Sequence, residues 1–233
     1  MKRPAVAVMA KAPDFGPVKS RLHAALSPER ATALYRCFLL DRLDAIRGLG
    51  GVEPVLAFTP PEGRSSLAAL APAGFRLIAQ RGIDLGERLA SMLGDLLEEQ
   101  HPGAMAIDSD SPTLPMPYVR EAAERLERGD ADLVLGPCED GGYYLIGLRM
   151  PQPSLFEDMP WSTDRVLALT VERARALGLR THLLPPWFDV DTAADLARLH
   201  AEMAAAGGGP ARTFAFVGDL FREGILTRTP ARR

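Results

Sequence analysis

Short apolar runs alternate with longer segments along this chain, and the two kinds of segment predict different elements. The runs are four to seven residues long and rich in Val, Leu, Ile and Ala, as β-strands are. Several are apolar at consecutive positions, which is typical of strands that helices cover on both faces. Six strands are predicted on this basis: residues 4–10, 53–59, 75–80, 104–107, 132–137 and 181–185.

The longer segments carry the periodicity of helices. The first has Ser27 as its N-cap, Pro28 at its first helical position and two glycines, Gly50 and Gly51, at its end. One apolar stripe runs along it, formed by Tyr35, Phe38, Leu39, Leu43 and Ile46. Further helices are predicted over about residues 85–99, 117–129, 163–177 and 192–206. This alternation predicts an α/β fold, a three-layer α/β/α sandwich with a mostly parallel sheet.

The length of 233 residues suits one such domain with a sizeable core. We expect the domain to span residues 1–206, because the linker-like sequence AGGGP occupies 206–210. Residues 207–233 are then expected to be a C-terminal tail, of which 211–233 could instead form an additional packing element. The chain has no internal repeat.

Composition narrows the class of protein. With 47% hydrophobic and 24% charged residues, the chain is neither disordered nor fibrous. A net charge of −3 and scattered arginines disfavour nucleic acid as a partner, and no stretch approaches the ~18 apolar residues of a membrane span. Cys37 and Cys138 show neither metal-ligand spacing nor a disulfide framework. We therefore expect a soluble cytoplasmic protein without a membrane partner, and the sequence leaves its oligomeric state open.

Charged residues follow four of the predicted strands directly. Because ligands bind at the carboxyl ends of the strands in parallel α/β sheets, these segments predict one ligand site at that edge. The four segments are residues 9–22, 108–115, 138–148 and 187–196.

The first segment carries cations. Lys11, Lys19 and Arg21 lie within eleven residues, and Gly16 between them lets the backbone approach a ligand closely. Arginine binds phosphate oxygens with its fork of donors, and lysine binds them as a point charge. The segment therefore predicts a phosphate-binding loop, with a solvated basic loop as the alternative. It matches neither GxxxxGK[ST] nor GxGxxG.

The other segments carry carboxylates. Asp108 and Asp110 end an apolar strand, where they could hold a hard divalent cation or form a turn before a proline. Asp189 and Asp191 form a second pair, in which Asp191 is either a ligand or a helix cap. Asp140 precedes Gly141 and Gly142, so this segment predicts either a substrate contact or a hairpin turn.

Six motifs together resemble the DUF2064 family of the GT-A superfamily, also called radical-SAM/selenodomain-associated transferase 1. They occur in family order over roughly residues 4–200: AKAPDFGPVKSRL, QRGIDLGERL, DSDSPTLP, LGPCEDGGYYLIGL, MPWSTDRVL and FDVDTAADL. The sequences KSRL and DVDT are also similar to the 2-phospholactate guanylyltransferases. The resemblance implies the GT-A fold of nucleotide-diphospho-sugar transferases.

The resemblance also implies roles for particular residues. It assigns Lys11, Lys19 and Arg21 to a phosphate loop, Asp110 to a metal site, and Asp189 and Asp191 to a second acidic site. Gln80, Gly82 and Asp84 match the family pattern and could line a nucleoside pocket, or form a loop before a helix that starts at Gly86. Asp108 occupies a position where the family usually has glycine. It is either an additional ligand or a substitution without a functional role.

The function predicted from these features is Mg²⁺- or Mn²⁺-dependent nucleotidyl transfer from a nucleoside triphosphate, GTP first, to a small phosphorylated acceptor. Lys19, Arg21 and Asp110 would act by stabilising charge, since no histidine or cysteine lies in a nucleophile–base pattern. Two alternatives remain open. One is a glycosyltransferase that uses a nucleotide-diphospho-sugar and a small-molecule acceptor, and the other is a non-catalytic nucleotide-binding module.

Overall fold

A seven-stranded sheet forms the middle layer of the protein, whose residues 2–226 are described here from a computed structural model. The strand order is β3-β2-β1-β4-β6-β5-β7. The strands are β1 (Ala5–Lys11), β2 (Glu53–Thr59), β3 (Arg76–Ala79), β4 (Ala104–Ile107), β5 (Leu133–Pro137), β6 (Tyr143–Leu148) and β7 (Thr181–Leu183). The predicted α/β architecture with a mostly parallel sheet is confirmed, since β6 alone of the described strands runs antiparallel to its neighbours.

Strand β6 is not predicted from the sequence, because residues 138–148 follow the fifth predicted strand as a loop that begins with charged residues and glycines. In the structure β5 and β6 form a hairpin, and β6 is inserted between β4 and β5. The turn of this hairpin contains Gly141, whose φ of +89° favours glycine. A Cβ at this position would lie 2.2 Å from the carbonyl oxygen of Asp164, so the turn also needs glycine for space.

Helices cover both faces of the sheet. They are α1 (Pro28–Leu49), α2 (Arg64–Leu70), α3 (Leu85–Glu98), α4 (Met116–Arg128), α5 (Val166–Ala176), α6 (Ala193–Ala205) and α7 (Ala211–Arg222). Val6 and Val8 of β1 face a core layer with α1 and α4, whereas Ala5 and Ala7 face one with α3 and α5. This burial of alternate residues on opposite faces explains why the strand is apolar at every position.

Helix α1 begins as the sequence predicts. The side chain of Ser27 accepts a hydrogen bond from the backbone N–H of Arg30 at 3.3 Å, and Pro28 is the first helical residue. Part of the apolar stripe packs against the sheet. Phe38, however, lies in a third core cluster that α1 forms with α6 and α7.

Helix α7 was not predicted as a helix. Its N-terminus is held by Asp41 of α1, which accepts from the backbone N–H groups of Arg212 at 3.3 Å and Thr213 at 2.8 Å, and Val217 and Leu220 are buried. Residues 211–222 are therefore the additional packing element that the sequence left open, while 227–233 lie outside the described residues. The domain boundary at residue 206 stays a prediction. No helix in the described part of the chain is both long enough and apolar enough to cross a membrane.

Candidate functional site

A cavity of about 510 Å³ opens at the carboxyl ends of β1 to β4. It brings together seven of the side chains predicted from sequence: Lys11, Lys19, Arg21, Gln80, Asp108, Asp110 and Asp191. The other seven predicted residues do not line it: Gly16, Gly82, Asp84, Asp140, Gly141, Gly142 and Asp189. The cavity thus contains three of the four segments that the strand-end argument names, those after β1, after β4 and before α6, together with the segment before α3, whereas no residue of 138–148 lines it.

Lys19 joins these three segments. Its Nζ lies 2.7 Å from Asp110 Oδ1 and 2.9 Å from Asp191 Oδ1, and it donates to the carbonyl oxygen of Val190 at 2.8 Å. The side chain is only 3% exposed. Burial alone would lower the pKa of Lys19, but the two adjacent carboxylates outweigh it and raise the pKa above its ordinary value. Lys19 is therefore a charged ammonium that donates hydrogen bonds to Asp191 and Val190 and forms an ion pair with Asp110.

Arg21 and Lys11 are more accessible cations. The Nη1 of Arg21 lies 3.1 Å from Asp191 Oδ2, while 67% of the Arg21 side chain is exposed. The exposed Lys11 forms no ion pair within residues 2–226, and its backbone is held by the hydroxyl of Tyr35 on α1. Arg21 and Lys11 can therefore meet an anion in the cavity more readily than Lys19 can.

Asp108 and Asp110 differ in what they contact. The carboxylate of Asp108 accepts from the backbone N–H of Ser111 at 3.2 Å and from its hydroxyl at 2.7 Å, which closes a turn. Burial raises the pKa of Asp108 to about 6, although the nearby Arg42 opposes this shift. Asp110 instead directs its carboxylate to Lys19. The turn proposed as an alternative for this segment is thus formed by Asp108, and Asp110 faces the other charged groups.

Arg42 of α1 was missed in the sequence analysis. It is 1% exposed, and its Nη2 donates to the carbonyl oxygen of Ser111. Asp108 and Asp110 are the charges that offset the cost of its burial. Position 42 follows Tyr35 by seven residues and therefore lies on the apolar stripe of α1. An arginine on this stripe indicates a buried charge, and this feature can be read from the sequence.

The segment before α6 contains the second acidic pair. Its Val190 N–H donates to the carbonyl oxygen of Asp110 at 3.0 Å, which fixes this segment beside the one after β4. The helix cap is Thr192, which forms a capping box with Asp195. Asp191 is therefore not the cap, and its carboxylate is paired with Lys19 and Arg21.

Asp189 lies in a neighbouring cluster with Cys138 and Asp140, in which one ligand atom of each residue lies within 4.8 Å of the others. Burial, Asp191 and Asp140 raise the pKa of Asp189 to about 6. Burial and the surrounding aspartates also raise the pKa of the Cys138 thiol. Asp140 accepts from the backbone N–H of Gly142 at 2.9 Å, so it also forms the hairpin turn. A divalent cation would relieve the repulsion between these acidic groups.

The segment before α3 contributes one polar group and one unpredicted cation to the cavity. Gln80 donates through Nε2 to the carbonyl oxygen of Ala57 at 2.8 Å. Asp84 is the N-cap of α3, which begins at Leu85 rather than Gly86. Gly82 accepts from Nε of Arg88 at 3.1 Å, and Arg88 lines the cavity. Gln80 and Arg88 therefore face the cavity, and Gly82 and Asp84 shape the helix start.

Comparison with solved structures defines the class of fold. The chain is similar to a protein from Desulfovibrio desulfuricans G20 that is provisionally described as a nucleotide-diphospho-sugar transferase, with 28% identity, a TM-score of 0.89 and 97% of each chain covered. It also resembles CMP:2-keto-3-deoxy-manno-octonic acid synthetase in complex with CTP. That match has 15% identity and a TM-score of 0.57, and it covers 88% of this chain and 100% of that one. The protein therefore has the nucleotide-diphospho-sugar transferase fold.

Within this class, residues 42–163 match the family model described as "Uncharacterized protein conserved in bacteria (DUF2064)". The chain belongs to the DUF2064 family. It is also 35% identical, over 139 residues, to the 3-phospho-D-glycerate guanylyltransferase of Phenylobacterium zucineum (strain HLK1). That match covers 58% of this chain and 62% of the relative, which is less than two thirds of its length.

Proposed function

We propose that the protein is a divalent-metal-dependent nucleotidyltransferase that moves a nucleoside monophosphate from GTP to a small phosphorylated acceptor. The observation that carries this proposal is the cavity itself, in which Lys11 and Arg21 face Asp110 and Asp191 at the carboxyl ends of the strands. The related guanylyltransferase supports GTP as donor and 3-phospho-D-glycerate as the first acceptor to test. A cytoplasmic location and the absence of nucleic acid and membrane partners remain predictions from composition.

The reaction needs no protein nucleophile. A phosphate oxygen of the acceptor attacks the α-phosphorus of the triphosphate, the bond from that phosphorus to the bridging oxygen breaks, and pyrophosphate leaves with the electron pair. Lys11 and Arg21 would bind the phosphates and offset the negative charge that grows on the leaving group. These residues would therefore contribute orientation and charge stabilisation.

Asp110 and Asp191 would hold a Mg²⁺ or Mn²⁺ ion in the cavity, and Asp189 would contribute its carboxylate from the neighbouring acidic cluster. Carboxylate oxygens are the donors that hard cations prefer, and the Val190 backbone hydrogen bond keeps the two acidic segments together. The raised pKa of Asp189 reflects its burial among other acidic groups, an environment that a cation would stabilise. When bound, the ion would neutralise and orient the phosphates.

A glycosyltransferase is the second candidate, because the Desulfovibrio protein provisionally described as a nucleotide-diphospho-sugar transferase matches 97% of this chain. An acidic site that binds a metal would serve a diphospho-sugar donor as well as a triphosphate. The two candidates differ in the donor that the cavity accepts.

A thermal-shift panel tests both candidates. We expect GTP with Mg²⁺ or Mn²⁺ to stabilise the protein by about 2.7 kcal/mol at a hundredfold excess over Kd, which is roughly 5–10 °C in Tm for a protein of this size. Without metal, the shift should be much smaller. Shifts with nucleotide sugars alone would favour the glycosyltransferase, and no shift with any nucleotide would refute both functions. Pyrophosphate release from GTP and 3-phospho-D-glycerate then tests turnover.

Replacing Arg21 by Ala is expected to weaken GTP binding at least tenfold. A charge-assisted hydrogen bond to phosphate contributes about 1.5–3 kcal/mol, and the exposed Arg21 side chain has no role in the core that its loss would disturb. Calorimetric titration with Mg²⁺ and GTP measures the change. Arg47→Ala is the control, since Arg47 is an exposed residue of α1 that pairs with Asp44 outside the cavity. Equal affinity of the Arg21 variant and wild type would remove Arg21 from the phosphate site.

A further inference from the structure

The ammonium of Lys19 contacts the same carboxylates that the proposed function assigns to the metal. It lies 2.7 Å from Asp110 Oδ1 and 2.9 Å from Asp191 Oδ1, and the second oxygen of Asp191 lies 3.1 Å from Arg21. Both oxygens of Asp191 are thus engaged by cations of the protein. A divalent ion bound to these carboxylates would lie next to the Lys19 ammonium and would be repelled by its positive charge.

We propose that Lys19 competes with a divalent cation for Asp110 and Asp191 and thereby sets the metal affinity of the nucleotide-free protein. This inference rests on the proposed function for the identity of the metal ligands. It assigns Lys19 a role different from the permanent phosphate contact that the resemblance implies.

The surroundings of Lys19 make this competition strong. The side chain is 3% exposed, so solvent screens the repulsion between its charge and a nearby divalent ion only weakly. Its third acceptor, the carbonyl oxygen of Val190, lies in the same acidic segment at 2.8 Å. The backbone of Lys19 is left-handed, with φ 51° and ψ 42°, at the start of a short 3-10 turn of residues 20–24. Lys19 therefore enters the acidic cluster from a defined loop conformation.

A bound triphosphate would weaken the competition between Lys19 and the metal, because its oxygens offer the Lys19 ammonium new hydrogen-bond acceptors. When the metal takes the carboxylates, Lys19 can turn from Asp110 and Asp191 to a phosphate oxygen, which is in reach because Lys19 lines the cavity. Metal and nucleotide would then bind with positive coupling, and the coupling acts equally on both ligands. A protein without the Lys19 charge would bind metal tightly before nucleotide arrives.

The test measures the binding of Mn²⁺ to the full chain in the absence of nucleotide, with electron paramagnetic resonance as the readout. We expect Lys19→Met to lower the Kd for Mn²⁺ at least tenfold. Lys2→Met is the control, because Lys2 is an exposed lysine that pairs with Glu99 outside the cavity, and the Kd of this variant should change less than threefold. A Kd for Lys19→Met that is unchanged or higher than that of wild type would overturn the competition.

A second measurement on wild type does not depend on how the variant folds. Mg²⁺ is expected to raise the rate at which an amine-reactive label modifies Lys19 at least threefold, as the ammonium leaves its carboxylates, while the rate at Lys11 stays constant. An unchanged labelling rate at saturating Mg²⁺ would overturn the proposal. If wild type and the Lys19→Met variant both fail to bind Mn²⁺, then both the proposed metal site and the proposed competition are wrong. If Lys19→Met binds Mn²⁺ more tightly than wild type, but GTP neither binds nor turns over, then only the proposed function fails.

Discussion

Asp110→Asn is expected to lower metal-dependent turnover roughly a thousandfold, about 4 kcal/mol of barrier, with the melting temperature near that of wild type. The substitution keeps the size of the side chain but removes the charge that a hard cation needs. Stability should fall only slightly, because 38% of the Asp110 side chain is exposed and Lys19 keeps Asp191 and the Val190 carbonyl as partners. Arg42 likewise keeps Asp108, the carboxylate that offsets its burial most. Pyrophosphate release at saturating GTP and Mg²⁺ measures turnover, and circular dichroism measures the fold.

Asp108→Asn is the matched control two residues away. The Asp108 carboxylate closes a turn with Ser111 and offsets the buried charge of Arg42, so we expect its loss to lower stability more than turnover. Turnover of the folded variant should stay within roughly tenfold of wild type, about 1.4 kcal/mol. Equal, severe loss of turnover in both variants would point to a site that uses both carboxylates. An active Asp110→Asn enzyme would remove Asp110 from the metal site.

That the cations after β1 lie beside the carboxylates after β4 could be predicted, because strand ends are readable in the sequence. A buried strand is a short apolar run, and the residue after it lies at the edge of the sheet, so the cations after β1 and the carboxylates after β4 had to come close. The contact of Lys19 with Asp110 bears this out. The contact of Lys19 with Asp110 and Asp191 was not predictable, because it depends on a left-handed backbone conformation at Lys19 that the local sequence pattern does not encode.

The features that were missed depend on contacts between distant segments. The β6 sequence YYLIGL is apolar, but its place in the sheet depends on pairing with β4, which lies more than thirty residues before it. Helix α7 is fixed by Asp41, a residue of α1. Gly82 and Asp84 matched a family pattern, yet the structure shows that Asp84 caps α3, which a capping residue before an amphipathic segment also predicts. Local sequence patterns predict individual helices and strands, whereas contacts between distant segments determine where these elements pack.

Arg42→Met is expected to destabilise the protein by about 3 kcal/mol, which lowers Tm by roughly 10 °C in a protein of this size. Methionine fills much of the buried space, so the loss would come from electrostatics and hydrogen bonding. Asp108 would lose the positive charge that opposes the cost of its burial, and the carbonyl oxygen of Ser111 would lose its donor. Urea unfolding followed by circular dichroism measures the free energy of unfolding.

The double variant Arg42→Met, Asp108→Asn separates charge pairing from packing. A pair of opposite buried charges can be removed together at little cost, whereas removal of one partner leaves the other uncompensated. We therefore expect the double variant to regain at least half of the stability that Arg42→Met loses, and the coupling between the two positions to exceed 1 kcal/mol, as for residues in one network. Arg47→Met on the exposed side of α1 should unfold like wild type. Additive losses in the double variant would mean that Arg42 stabilises the protein through its hydrogen bond to Ser111 and its packing, and not through the charge of Asp108.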